Sequence, residues 1–248
     1  MEEISAAILV IGDEILSGRT ADVNVNHIAC VLTQIGIDLR EARVVPDIEA
    51  EIVAAVNALR ARYTYVFTTG GIGPTHDDIT AEAIAKAFGM SLEVREDAIA
   101  MMRARYGERY ELNAPRRRMA RLPVGAELVR NSVSGAPGFR LGNVFVMAGV
   151  PNIMQAMLED IVPRLKTGTP VVSRTIAVAM GESAIASALG DIQKRHPDVA
   201  IGSYPAFGEG GPKCSLVVRG RDPQMVEAVA VEIEAMVRAA GGEPKRIG

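Results

Sequence analysis

The stretch Phe67 to Thr80 reads FTTGGIGPTHDDIT, with Gly70, Gly71 and Gly73 followed by Pro74, His76, Asp77, Asp78 and Thr80. Glycines let backbone N–H groups approach a ligand closely. Together with the positive end of a following helix, they favour phosphate or another anion. Adjacent carboxylates repel such an anion unless a cation lies between them. Asp77 and Asp78 are hard oxygen donors suited to Mg²⁺ or Mn²⁺ shared with substrate phosphates. A phosphate cradle beside a metal-binding carboxylate pair fits a nucleotide or pyrophosphate substrate. The plainer reading is a tight strand–helix connection in which Asp77, Asp78 and Thr80 compete to cap the helix. The stretch is no Walker A loop, because no G-K-[ST] follows, and its third glycine comes two positions too early for the dinucleotide fingerprint.

The elements around it must put it at the edge of a sheet. Residues 6–12 (AAILVIG) read as a fully buried strand ended by glycine. Residues 25–36 carry apolar positions at helical spacing, and 37–45 read as a second strand. Residues 47–63 predict an amphipathic helix with Asp47 as its N-cap and Ile48, Ile52, Val53, Val56 and Leu59 on one face. A third strand at 63–69 leads into the glycine stretch, and a helix over 79–89 follows, with Thr80 as its cap and Gly89 as its stop. Strands alternating with helices predict a mostly parallel α/β sheet, whose ligands bind beyond the carboxyl ends of the strands. Asp13 and Glu14 after the first strand and Asp47 after the second then lie along the same edge as Asp77 and Asp78. Each also has a structural reading as cap or turn former.

Beyond residue 121 come a loop, a hairpin, a turn at Gly149-Val150-Pro151 and a helix, with a boundary near residues 166–174. That gives domains 1–168 and 169–248, the second a small α+β unit of strand, helix, strand, strand and helix. Residues 101–121 hold seven arginines against two glutamates; Arg116, Arg117 and Arg118 could reach phosphates or form a solvated basic face. His27, His76 and His196 are scattered. Cys30 and Cys214 form no metal or disulfide pattern, and Cys30 reads as core. Met154 and Met157 read as core filler. Gly208 to Gly211 (GEGG) has the spacing of a nucleic-acid-clamping loop but carries an acid between two strands, and reads as a hairpin turn. A net charge of −3 neither calls for nucleic acid nor forbids it, while no Trp and 4% aromatics argue against it as a partner. The apolar runs are too short to span a membrane, and the amino terminus does not read as a signal peptide, so a cytoplasmic protein is expected.

The ordered motifs GDEILSGRTADVN, TTGGIGPTHDDIT, NSVSGAPGF and GVPNIM resemble the molybdopterin-binding domain of molybdenum-cofactor biosynthesis proteins. More narrowly, they resemble the amino-terminal part of the CinA (competence/damage-inducible) family. The stretch from MGESAIASALGDI onward is similar to the small α+β domain, sometimes called KH-type, that follows in CinA. The resemblance implies a three-layer α/β/α domain with a mostly parallel sheet and a pterin or nucleotide substrate bearing phosphate. It further implies a divalent-metal-dependent pyrophosphatase acting on ADP-ribose-like compounds, with Mg²⁺, Mn²⁺ or Co²⁺ as cofactor, and a homo-oligomer. By motif, Asp78 and Asp47 take the catalytic places, and Asp77, Asp78 and Asp13 the metal. Thr69, Gly70, Gly71, Gly73, Pro74, Thr80, Asp13 and Glu14 hold the phosphate-bearing substrate. The alternative is a non-catalytic molybdopterin or nucleotide binder. Ala148 stands where CinA chains carry proline. The deamidase activity of longer CinA proteins is not expected in this chain and would fall to a separate partner.

Overall fold

Residues 6–11 are apolar without interruption and all buried, because both faces of their strand are covered. In this computed structural model, which describes residues 4–107, 111–208 and 211–247, strand β1 (Ser5–Ile11) sends alternate side chains to two cores. Ala7, Leu9 and Ile11 join one; Ala6, Ile8 and Val10 join the other. The following elements are α1 (Asp13–Leu16), α2 (Asn24–Gln34), β2 (Asp38–Val45), α3 (Glu49–Arg62), β3 (Tyr65–Thr69) and α4 (Thr80–Phe88). Then come β4 (Leu92–Val94), α5 (Glu96–Tyr106), α6 (Ala114–Arg118), β5 (Arg121–Pro123), β6 (Glu127–Val129), β7 (Gly138–Leu141), β8 (Val144–Met147) and α7 (Pro151–Ile161). Helices α3, α4 and α5 cover one face of the sheet, and α2 and α7 the other. The result is a three-layer α/β/α unit.

The sheet order is β2-β1-β3-β8-β7-β6. Strands β2, β1, β3 and β8 are parallel, while β7 runs antiparallel between β8 and β6. Register decides where the site forms. Ile11 pairs with Val45, and Val10 with Thr69, so Gly12, Asp47 and Gly70 leave the sheet at one edge. This is the carboxyl edge, where open α/β sheets bind their ligands.

Three local expectations are corrected. Asp47 does not cap α3; Ile48 holds the cap position, is 54% exposed and does not join the buried face of Ile52, Val56 and Leu59. Thr80 is not the cap of α4 but its first residue, fully buried, with Ile79 before it. Cys30 is exposed, because α2 turns Ile28 and Leu32 inward instead. Gly89 does end α4 in the left-handed conformation, and Met154 and Met157 are buried in the core.

The chain divides into two compact units, Met1–Gly168 and Thr169–Gly248. The second contains β9 (Val172–Val178), α8 (Ala186–Arg195), β10 (Ala200–Gly208), β11 (Gly211–Gly220), α9 (Pro223–Ala239) and β12 (Lys245–Ile247). Its antiparallel sheet has the order β10-β11-β9-β12 and shares one core with α8 and α9. The short β12 was not expected from the sequence. Gly208 pairs with Gly211 across the β10–β11 ladder, while residues 209 and 210 of the GEGG stretch lie outside the described residues. No described helix is long and apolar enough to cross a membrane.

Candidate functional site

The glycine loop is held by three hydrogen bonds, two between backbone groups and one from the Thr80 side chain. Gly70 N–H donates to Met147 O at 3.1 Å and Thr80 N–H to Gly71 O at 3.0 Å. The Thr80 hydroxyl donates to Gly70 O at 3.0 Å. Gly70 and Gly71 have φ of +103° and +66°, which L side chains rarely adopt. A Cβ on Gly70 would also collide with the Ile11 carbonyl oxygen, and one on Gly71 with the Thr80 hydroxyl. Gly149 closes the far side, where a Cβ would lie 3.3 Å from Gly70 Cα. Bare backbone is thus demanded at this crossing by both conformation and space.

Beside the loop lies a cavity of about 490 Å³. Gly70, Gly71, Gly73, Pro74, Glu14 and Asp78 form its polar rim. Met102, Met119, Ile153 and Met157 are part of its apolar lining, and Asn131, Ser134 and Gly149 line it as well. Asn131 is almost fully buried; its carboxamide donates to Ser134 Oγ and Ala136 O and accepts from Val133 N–H and Ser134 N–H. It therefore fixes the loop before β7 as a second wall. The sequence marked 131–139 as a loop and as one of the motifs of the family resemblance, but assigned none of its residues to the site; its dense Asn, Ser, Gly and Pro content was the available signal.

The expected site residues separate into groups. Asp78 lies on the rim, its carboxylate accepting from Thr75 N–H at 2.8 Å and from the Thr75 hydroxyl, with Gly73 directly alongside. Asp77 points outward, 66% exposed, 4.0 Å from His76. Thr69 and Thr80 are buried and do not face the cavity: Thr80 holds the loop, and the Thr69 hydroxyl has no hydrogen-bond partner. Asp47 accepts the Asp13 N–H at 3.0 Å, and its other oxygen lies 3.6 Å from where a Cβ on Gly71 would sit. Burial pushes the Asp47 carboxyl above the usual range, and the charges of Asp13, Glu14 and Asp77 push it the same way, against the Asp13 hydrogen bond. Asp13, Glu14 and Asp47 have no ion-pair partner among the described residues. Nor does any group of three or more His, Cys, Asp or Glu among those residues stand close enough to hold a metal. Asp77, Asp78 and Asp13 are thus not gathered by the chain alone. An ion here would need oxygens from its substrate, a common arrangement for Mg²⁺.

Residues 7–167 match the family described as "Probable molybdopterin binding domain", and residues 170–243 match "FAD synthase, middle domain". The crystal structure of CinA, a protein of unknown function from Thermoplasma acidophilum, is 35% identical. It covers 66% of this chain and 99% of its own, with a TM-score of 0.61. The chain belongs to the CinA-like branch of the molybdopterin-binding family. A "CinA-like protein" of a Geobacter species is 36% identical over 252 residues, which is 98% of this chain and 58% of that protein. A protein of Pyrobaculum arsenaticum is 39% identical over 218 residues, 84% of this chain and 82% of its own.

Proposed function

We propose that the large unit of this CinA-like chain binds a phosphate-bearing nucleotide at the glycine loop and hydrolyses its phosphoanhydride bond. A divalent metal would arrive with the substrate. The observation that carries this reading is Asp47: a half-buried carboxyl with a raised pKa, repelled by Asp13, Glu14 and Asp77 and without an ion-pair partner among the described residues, beside backbone that must stay bare. Carboxylates left without a counter-charge at a phosphate cradle suit a cation shared between protein and diphosphate. Such an ion, Mg²⁺, Mn²⁺ or Co²⁺, neutralises the diphosphate and acidifies bound water. Asp13, Asp77 and Asp78 would receive it together with the substrate's own oxygens. The loop N–H groups hold the non-bridging oxygens as charge develops. Asp47, with its raised pKa, is suited to accept the proton of the attacking water. Water adds to one phosphorus, the bridging P–O bond breaks, and two phosphate monoesters leave.

The test is product analysis with ADP-ribose in the presence and absence of each metal. AMP and ribose phosphate should appear only with metal. Asp47→Asn and Asp78→Asn should each lower turnover by about a hundredfold or more, in the range of general acid–base effects. Full activity in both variants would overturn the assignment. A second reading, a molybdopterin binder without hydrolysis, is favoured by the apolar methionine wall and by the absence of a preassembled metal-ligand group among the described residues. Metal-independent binding of a pterin phosphate, with no product from ADP-ribose, would establish it.

A further inference from the structure

A second cavity, of about 460 Å³, opens on the other side of Pro74 and shares only that residue with the first. Its walls carry Arg117, Arg118, Arg121 and His76, with Pro74, Val94, Ala114 and Pro115 as the apolar part. Arg118 and Arg121 both reach toward one carboxylate, Glu82, at 3.5 and 3.4 Å, so neither is tightly paired. The buried Arg118 Nε has no partner, and the exposed Arg117 side chain has no ion pair among the described residues. Against three guanidinium groups stand Glu82 and, further out, the exposed Asp77. Arginine forks with spare donors over a half-apolar hollow match the oxygens of a phosphoryl group better than a solvated face would require.

We propose that this cavity is an anion subsite of its own, distinct from the glycine loop, that takes a phosphoryl group through Arg117, Arg118 and Arg121. Arg118 Nη2 also donates to the Asp78 carbonyl at 2.9 Å. An anion seated here therefore steadies the 74–78 segment that bounds both cavities. The proposal does not depend on hydrolysis. The phosphoryl group comes either from free phosphate or from an extra phosphate on the nucleotide bound next door.

The experiment is a titration of the full chain with inorganic phosphate at low ionic strength, followed by backbone amide resonances. The amides of Arg117, Arg118 and Arg121 should shift. The double variant Arg117→Gln, Arg121→Gln should weaken that binding about tenfold, on the scale of losing a charge-assisted contact. Gly190→Ala, in the small unit, should leave it unchanged. Shifts confined to Gly70–Gly73, no shift at all, or equal affinity in the double variant would each overturn the proposal. The source is read from ADP-ribose against ADP-ribose 2′-phosphate. If the extra phosphate tightens binding in the natural chain but not in the double variant, the substrate supplies it. If both ligands bind alike while phosphate still shifts these amides, the occupant is a free anion.

Discussion

The glutamates of α9 and one aspartate of the large unit, Asp47, meet opposite electrostatic treatment. On α9 of the small unit, Glu227 faces Arg174 and Arg246, Glu232 faces Arg195 and His196, and Glu234 faces Arg238 and Arg246. Hydrogen bonds from these partners hold all three carboxyls below their ordinary range. At the carboxyl edge of the large unit, Asp47 lies among Asp13, Glu14 and Asp77, and its pKa moves up, while the exposed Asp77 is held low by its hydrogen bond with Thr75. The difference separates two uses of one functional group. A carboxylate neutralised by the protein's own cations is complete as it stands, and its contribution is modest surface stability. A carboxylate crowded by its own kind at a bare backbone raises the free energy of the ligand-free chain, and a cationic ligand relieves it.

The platform under the acidic edge offers the largest test of that contrast. Gly70→Ala forces a positive φ and drives a methyl into the Ile11 carbonyl. A loss of about 3 kcal/mol or more is expected from strain and overpacking together. Gly190→Ala, inside α8 of the small unit with nothing within 4 Å of the new Cβ, should instead gain about 0.5–1 kcal/mol. Denaturant unfolding of the two variants measures both. A harmless Gly70→Ala would mean that the loop can move away, and with it the cradle.

That platform was legible in the sequence because the constraint is local: three glycines between a strand pattern and a helix pattern have few structural uses. The layered fold was legible for the same reason, since the period of each segment matches the face it buries. Asp47 was not. Its position before an amphipathic run reads as a cap, but its carboxylate answers the amide of Asp13, 34 residues away. Thr80 was misread similarly, its hydroxyl reaching back ten residues to Gly70 rather than serving its own helix. The methionine wall comes from α5, α7 and the segment after α6, elements that only tertiary packing brings together. The paired glutamates of α9 were equally hidden, since one shared partner, Arg246, lies on the unanticipated β12.

A smaller effect sharpens the contrast at the acidic edge itself. Asp47→Asn removes a charge that the fold disfavours and keeps an oxygen for the Asp13 amide. The ligand-free variant should therefore melt slightly higher than the natural chain at neutral pH. The sign follows from linkage. A raised folded-state pKa makes ionisation costly above that pKa, and the cost disappears as pH falls below the ordinary aspartate value. The gap in melting temperature should close over that acid range. Adding Mg²⁺ with ADP should reverse the order, because saturation at a hundred times Kd contributes about 2.7 kcal/mol to the chain that binds. Calorimetry across pH, with and without ligand, reads all three outcomes. A variant less stable than the natural chain throughout would show Asp47 to be an ordinary structural acid.

The smallest effect belongs to the small unit and has the opposite sign. Glu234 has a lowered pKa, set first by its hydrogen bond from Arg246 and helped by Arg238. Its contribution is fully present above the ordinary glutamate pKa and is lost as pH falls through the lowered value. Glu234→Gln should cost on the order of 0.5 kcal/mol at neutral pH, the scale of a partly exposed ion pair, and less as salt is added. Amide hydrogen exchange along α9 isolates this unit from the rest of the chain. Acidification should speed that exchange, beyond the intrinsic pH effect, in the natural protein but not in Glu234→Gln. Over the same range it should relieve the large unit of its Asp47 penalty. If Asp47→Asn and the natural chain instead lost stability in parallel on acidification, Asp47 would carry no penalty to relieve, and no cation would be needed there.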